Sequence, residues 1–475
     1  MDWILNVISF LGIFGLCFIA WLGSEDRRRI PWKVMFWGIG LLLVVGALVF
    51  QVPVTRDSIT VLNDLLNVVI DASETGARFL FGPIIVPNPG TVGPGEAGRW
   101  ITRTLGTPYV PILGDRLGGD FLDMGYIFAF RSLPQVIFFS ALISLLYRVG
   151  AIQPAVKVFA KIFQKTMRLS GAESLSGAAN IFVGIESAIA VKPFLADMTR
   201  SELCAILASC FGSIASTVLG IYAGFLRPVF PNITGHLMSA SIIAIPACFV
   251  ISKILVPETE EPLTMGGIPE DPEEDPNEKK PSIMDSLILG ALDGVNMAVG
   301  IAAVIIAIIG LVALLNSFFG GLAGLANSNI VPLQYVGKLF SVVTLDNIFG
   351  VLFLPLTFLT GVSLEWGELW QASVIIGQRV LQTSIPPYLK LATLSGQGMI
   401  SDRSMLIVSY VLCGFTHIPS YGIFVGGLSS LVPDRRSEIS DLGWKALWAG
   451  TLATLMTGCI AGLFYFGNST SVLGR

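Results

Sequence analysis

The sequence predicts an all-α polytopic membrane protein, an inverted-repeat transporter with two re-entrant helical hairpins and two broken helices. Three observations predict it. Hydrophobic residues form 53% of the chain and charged ones 13%, at a mean hydropathy of +0.75; soluble domains carry roughly a quarter charged residues. Residues 170–197 and 366–394 are each too long and too interrupted for a simple buried helix. Each is followed by an apolar stretch that Gly, Ser, Thr or Pro breaks in the middle, 204–225 and 404–428. Paired hairpins and broken helices around a central site are a plan of secondary transporters.

The first span, 3–22, is followed by Arg27, Arg28 and Arg29. With no basic residues before it and no small-residue cleavage site, it reads as a span rather than a signal peptide, with the arginines on the cytoplasmic side. Residues 34–50 return across the bilayer. Residues 58–71 carry apolar side chains at helical spacing with polar ones between, as an interfacial helix does. The Gly- and Pro-rich 81–119 reads as an outer loop, 127–149 as a span and 155–167 as an amphipathic lead into the first hairpin.

In that hairpin, residues 170–182 and 187–196 form two half-helices about a tip at Gly184. A half-helix of about twelve residues rises roughly 18 Å, near half a bilayer core. Its end leaves backbone groups that lipid cannot satisfy, so a cavity, ion or solute must. Residues 204–225 carry Gly212, Ser213, Ser216 and Thr217 at their centre, marking either local unwinding or a tightly packed small-residue face. Residues 239–256 are another span, and 258–280 an acidic, Pro-rich connector.

The second half follows the same order. Residues 295–315 are a span, 333–343 an interfacial element and 345–360 a short membrane segment. Thr383, Ser384, Pro386 and Pro387 centre the second hairpin, because consecutive prolines cannot sit inside a continuous helix. Gly414, Pro419 and Gly422 break 404–428, and 444–466 closes the chain. The resulting blocks are 1–57 (membrane helices of a scaffold), 58–126 (interfacial helix and loop), 127–256 (first repeat), 257–284 (connector) and 285–475 (second repeat).

The six cysteines lie in apolar segments without ligand spacing, and two histidines are too few for a histidine-rich metal site. A net charge of -4 argues against a nucleic-acid partner. No nucleophile–base–orienter set stands out, so an enzyme is the weakest reading.

The stretches SGAESLSGAANIFVG, FVGIESAIAVKPF, FGSIASTVLG and CGFTHIPSYGIFVGG, with the closing LVPDRRSEISDLGWKALWAG, resemble the concentrative nucleoside transporter family. The match runs from about residue 72 to the last span and is weak in 81–119 and in the connector. The resemblance implies a homotrimer in a cell membrane whose protomers carry a nucleoside with a cation by an elevator movement. It also implies a sodium site at Asn180, Val183, Ser213 and Ile214, from an amide, a hydroxyl and free carbonyls, the oxygen donors a hard cation takes. On its residues alone Asn180 fits a helix–helix hydrogen bonder equally well. Protons in place of sodium stay open.

The implied solute residues are Gly184, Ile185, Glu186, Ser187, Val218, Thr383, Ser384, His417 and Ser420, and they depart from the family pattern. Where the family tip reads G-Q-[ST]-E, this chain reads Gly184-Ile185-Glu186-Ser187. Thr383 and Ser384 stand where the family has asparagine and glutamate, and His417 where it has asparagine. Glu186 is either a displaced anchor or proton carrier, or a tip residue facing water. His417 is either a solute or proton group, or a packing histidine. The reading is a sodium-coupled symporter for nucleosides or nucleoside-like solutes. A same-fold carrier for another polar solute stands behind it, then a non-transport membrane sensor or scaffold.

Overall fold

The computed structural model describes residues 2–82, 85–86, 127–265, 267, 282–467 and 472–474. The side chains of 2, 53–59, 185, 186, 189, 190, 216 and 217 lie outside that description, as do most of the expected outer loop and connector. Seventeen α-helices and no strand occur among the described residues.

Helices α1 (Asp2–Leu22), α2 (Trp32–Gln51), α3 (Pro53–Phe81), α4 (Phe128–Val149) and α5 (Gln153–Met167) precede the first hairpin. The hairpin comprises α6 (Gly171–Ala179) and a 3-10 helix, Ile185–Phe194. Then come α7 (Arg200–Gly212), α8 (Ser216–Leu226) and α9 (Ile233–Leu255). The second half contains α10 (Ile283–Gly324), α11 (Val331–Phe340), α12 (Leu345–Leu359), α13 (Trp366–Gln382), α14 (Ile385–Gly396), α15 (Asp402–Leu412), α16 (Ile418–Leu431) and α17 (Arg436–Leu463). Six helices are long and apolar enough to cross a membrane, or seven if α11 and α12, bent by 53°, count as one span. The protein is a multi-pass membrane protein.

Several expected boundaries shift. The interfacial helix expected at 58–71 extends over 29 residues, from a proline in its first turn to Gly82 at φ 84°. The span at 295–315 lies within the 42-residue α10. At 1.5 Å per residue that helix is roughly 63 Å long, about twice a bilayer core. The second arm of the first hairpin is a 3-10 helix instead of an α half-helix. Pro193 within it cannot donate the bond that an α turn needs.

The prolines of the second hairpin are not at its tip. They open α14, where a missing N–H costs nothing, and the chain breaks at Thr383–Ser384 instead. Pro419 likewise opens α16 and Gly422 lies inside it, so the break there is Cys413–His417. The first broken helix opens at Ser213–Ala215, as its small residues imply.

Helices α9 and α17 form the core, with 94% and 89% of their apolar windows buried, and they pack on each other. Helix α7 lies on both, and α15 packs mainly on α17. The 3-10 arm of the first hairpin packs on α16, the second half of the other repeat's broken helix. In the same way α14 of the second hairpin packs on α8. This reciprocal crossing is the inverted-repeat plan expected from sequence.

Glycine permits the crossing. A Cβ on Gly450 of α17 would lie 2.6 Å from the Phe211 Cβ and 3.0 Å from the Thr416 Cγ2. One on Gly414 would lie 3.0 Å from the Gly212 carbonyl oxygen. Overpacking such a contact costs about 1–3 kcal/mol. Gly450→Val should therefore lower the thermal unfolding midpoint in detergent; an unchanged midpoint would show that the broken helices cross less closely.

Capping boxes start α6 (Ser170/Glu173), α7 (Thr199/Glu202) and α10 (Ser282/Asp285). Outside the spans, Glu25 takes hydrogen bonds from Arg200 and Lys445, tying the α1–α2 loop to α7 and α17. Burial raises the Glu25 pKa, but these two partners more than offset it, so the carboxyl lies below its ordinary range.

Candidate functional site: converging hairpin tips and helix breaks

At the end of α6 the chain turns through Asn180 into the tip, and α7 ends at Ser213. Two helix C-termini thus converge, and their orphan carbonyls carry partial negative charge. The Asn180 Nδ2 donates to the Ser213 Oγ at 2.7 Å, and the Ser213 Oγ lies 2.8 Å from the Ser209 carbonyl oxygen. The Ser187 Oγ lies 3.5 Å from both the Asn180 Oδ1 and the Ser176 Oγ. Asn180, Ser213, Ser187 and Ser176 are all buried. Ile214 is buried beside them and Val183 half-buried; as apolar residues they bring only carbonyl oxygens.

The cluster holds neutral oxygens at the negative ends of two helices. Among the described residues no group of three His, Cys, Asp or Glu side chains is placed to hold a metal ion. This chemistry suits a weakly held monovalent cation better than a transition metal.

The second hairpin supplies hydroxyls. Thr383 has φ 68° and ψ 178°, a region nearly reserved for glycine, so the tip is a strained point. The buried Ser384 Oγ donates to the Gly414 carbonyl oxygen at 3.0 Å, which joins the tip to the break between α15 and α16. Behind it the Tyr222 and Tyr388 rings stack at 4.5 Å, and the Tyr388 hydroxyl donates to the Ser409 carbonyl oxygen at 2.8 Å. Val218 is buried in α8, and Gly184 is buried at the first tip.

His417 and Ser420 engage each other. The Ser420 N–H donates to the His417 Nδ1 at 3.2 Å, and the Ser420 Oγ lies 2.9 Å from the same nitrogen. His417 is thus the N-cap of α16, the packing role that sequence left open beside the functional one. Ser187, read as a solute residue, is drawn to Asn180. The side chains of Ile185 and Glu186 lie outside the described residues.

Sequence reading passed over three buried ionisable groups. Lys253 of α9 pairs with Glu173 at 2.8 Å and Glu258 at 3.1 Å, while the Ser170 Oγ donates to Glu202, so the starts of α6 and α7 are clamped together. Arg403 of α15 donates to the Gly361 carbonyl oxygen, Asn6 and Ser9, joining α15 to α12 and α1. Arg379 of α13 is fully buried. Ionisable residues inside apolar segments were the available signal, since lipid makes them costly unless they serve a purpose.

The family described as Na+ dependent nucleoside transporter matches at its N-terminal part over residues 11–84 and at its C-terminal part over 236–462. A nucleoside recognition (gate) domain matches 129–229. A transporter of Haemophilus influenzae, itself described as uncharacterized, is 32% identical over 460 residues, covering 96% of this chain and 97% of its own. The chain belongs to the sodium-dependent nucleoside transporter family. The family is one of transporters, so the enzyme reading falls away.

Other members of this nucleoside transporter family extend the comparison. The transporter YutK of Bacillus subtilis is 32% identical, covering 97% of this chain and all (100%) of its own length. Sodium/nucleoside cotransporter 2 of Rattus norvegicus is 28% identical, and the match covers 97% of this chain but 63% of the rat protein. The fold is that of CNTnw. Its inward-facing, substrate-bound structure superposes with a TM-score of 0.79 at 32% identity, covering 97% of this chain and 98% of that one. An outward-facing CNTnw variant gives 0.80 at 32% identity, covering 98% and 99%.

Proposed function

We propose that this protein is a sodium-coupled symporter for nucleosides or nucleoside-like solutes, working as a homotrimer by elevator-type alternating access. The observation that carries the coupling is the Asn180–Ser213 bond at the meeting of two helix C-termini. A cation bound there satisfies the amide, the hydroxyl and the Val183 and Ile214 carbonyls together, and loading it orders the first tip. Protons would need a titratable group, and the described members of the cluster have none. CNTnw has been captured inward-facing, outward-facing and in intermediate states, which supports alternating access. The apolar, outward-facing Ile306, Leu314 and Phe318 of α10 suit a subunit contact or lipid.

The solute site is built from the second hairpin's hydroxyls and the first tip. Thr383 and Ser384 can still hydrogen-bond a sugar, but they lack the charge-assisted bond of a carboxylate, which is about twice as strong as a neutral one. His417 is already committed to capping α16. The carrier is therefore expected to take up uridine and adenosine weakly and to bind a related polar solute through Ser384, with Glu186 as a second anchor. A carrier for a different polar solute is the second reading, favoured by the same hydroxyls.

The test is a competition panel of nucleosides, bases and sugars in proteoliposomes with and without sodium, on wild type, Ser384→Ala and Glu186→Gln. Tight uridine transport that ignores both substitutions would place the solute elsewhere. Uptake that ignores sodium and follows a proton gradient would remove sodium coupling.

A further inference from the structure

Arg379 is the largest fully buried side chain among the described residues. It stands on α13 one turn before the second tip. Its Nη1 donates to the Val411 carbonyl oxygen and its Nη2 to the Thr454 Oγ1 at 3.1 Å, while its Nε finds no partner. No carboxylate pairs with it among the described residues. A guanidinium stays protonated under all ordinary conditions, so its charge must be met by dipoles.

Those dipoles are the end of α15. In its last turn the Ser409 carbonyl oxygen accepts from Tyr388, that of Tyr410 from the Cys413 N–H and that of Leu412 from the Gly414 N–H. The Val411 carbonyl is the one that takes Arg379. The guanidinium thus sits at the negative end of a half-helix, just before the break.

The corresponding place in the first repeat is the end of α7, where Asn180 of the hairpin meets Ser213. The two contacts even span the chain alike, 33 residues from Asn180 to Ser213 and 32 from Arg379 to Val411.

We propose that Arg379 is the built-in cation of the second repeat: at the end of α15 it takes the place that the transported cation takes at the end of α7. One repeat then loads and releases its cation while the other keeps its own, and a single cation accompanies each solute. The proposal rests on the cation-coupled reading above.

The test uses purified full-length protein and needs no solute. Thermal unfolding of wild type, Arg379→Lys, Arg379→Met and Arg379→Ala is followed against sodium, with potassium as the balancing ion. The alanine variant is also titrated with guanidinium and, in parallel, with urea, its neutral isostere, at the same low concentrations. Wild type and Arg379→Lys are expected to show a sodium Hill slope of about one. Arg379→Ala should unfold at lower temperature, recover with guanidinium but not urea, and show a steeper sodium slope as both helix ends fill.

Equal responses to guanidinium and urea would overturn the proposal. So would an Arg379→Lys variant as impaired as Arg379→Met, a comparison that holds even if the alanine variant fails to fold. A wild type indifferent to sodium, with guanidinium still rescuing Arg379→Ala, would sink sodium coupling and leave the fixed cation at the end of α15 standing.

Discussion

Asn180→Ala is expected to raise the sodium concentration for half-maximal uptake by roughly ten- to a hundredfold. Asn180 ends α6 and reaches Ser213 across the hairpin–helix junction, so its loss removes an oxygen ligand and leaves a buried cation short of a partner. An unsatisfied buried polar group costs about 1–3 kcal/mol, and each 1.4 kcal/mol is about tenfold in affinity. Ser213→Ala should act in the same direction but less, because the Ser213 Oγ also points at the Ser209 carbonyl oxygen within its own helix. Sodium titration of uptake in proteoliposomes decides it. An Asn180→Ala carrier with an unchanged sodium requirement would reduce the cluster to a helix–helix hydrogen bond.

Lys253→Met is expected to lower stability by about 3–5 kcal/mol, the cost of stranding one member of a buried pair. The side chains of Lys253 and Glu173 are only 5% and 2% exposed at a separation of 2.8 Å. Removing the cation strips its partner from the buried Glu173, the residue that completes the capping box of α6. Glu173→Gln added to Lys253→Met should restore most of the loss, since the amide oxygen can still accept from the Ser170 N–H. Thermal or denaturant unfolding in detergent measures both. A double variant no more stable than Lys253→Met would mean that the lysine acts through Glu258, its second partner at 3.1 Å.

Much of the architecture is local, and local features are legible in sequence. Apolar runs of about twenty residues became helices α1, α2 and α4 within a few residues of the expected bounds. Gly, Ser and Pro marked both hairpins and both breaks, because those residues weaken a helix where they cluster. What they did not mark was the register of the break. Pro386, Pro387 and Pro419 read as interruptions, yet each begins the next helix, and the breaks precede them. A proline forbids the turn behind it and permits the one ahead, so the sequence alone left both sides open.

The meeting of Asn180 with Ser213, on which the proposed cation site rests, was named through the family's wording. The physics of Asn180 by itself could not choose between ligand and helix bonder. The structure adds that Ser187 sits with Asn180 and that His417 is an N-cap.

By itself, then, the sequence determined a membrane-embedded, all-helical carrier with two interrupted hairpins, since burial in lipid and helix breaking depend on near neighbours in the chain. Only the tertiary structure decided which charges meet. Arg379 reaches Thr454 across 75 residues and Arg403 reaches Asn6 across 397. Such pairs exist because helices distant in the chain pack together, and near the first of them the broken helices cross where Gly414, and Gly450 of α17, leave room for the backbones. No periodicity records that crossing, because it depends on which chain-distant surfaces fit together.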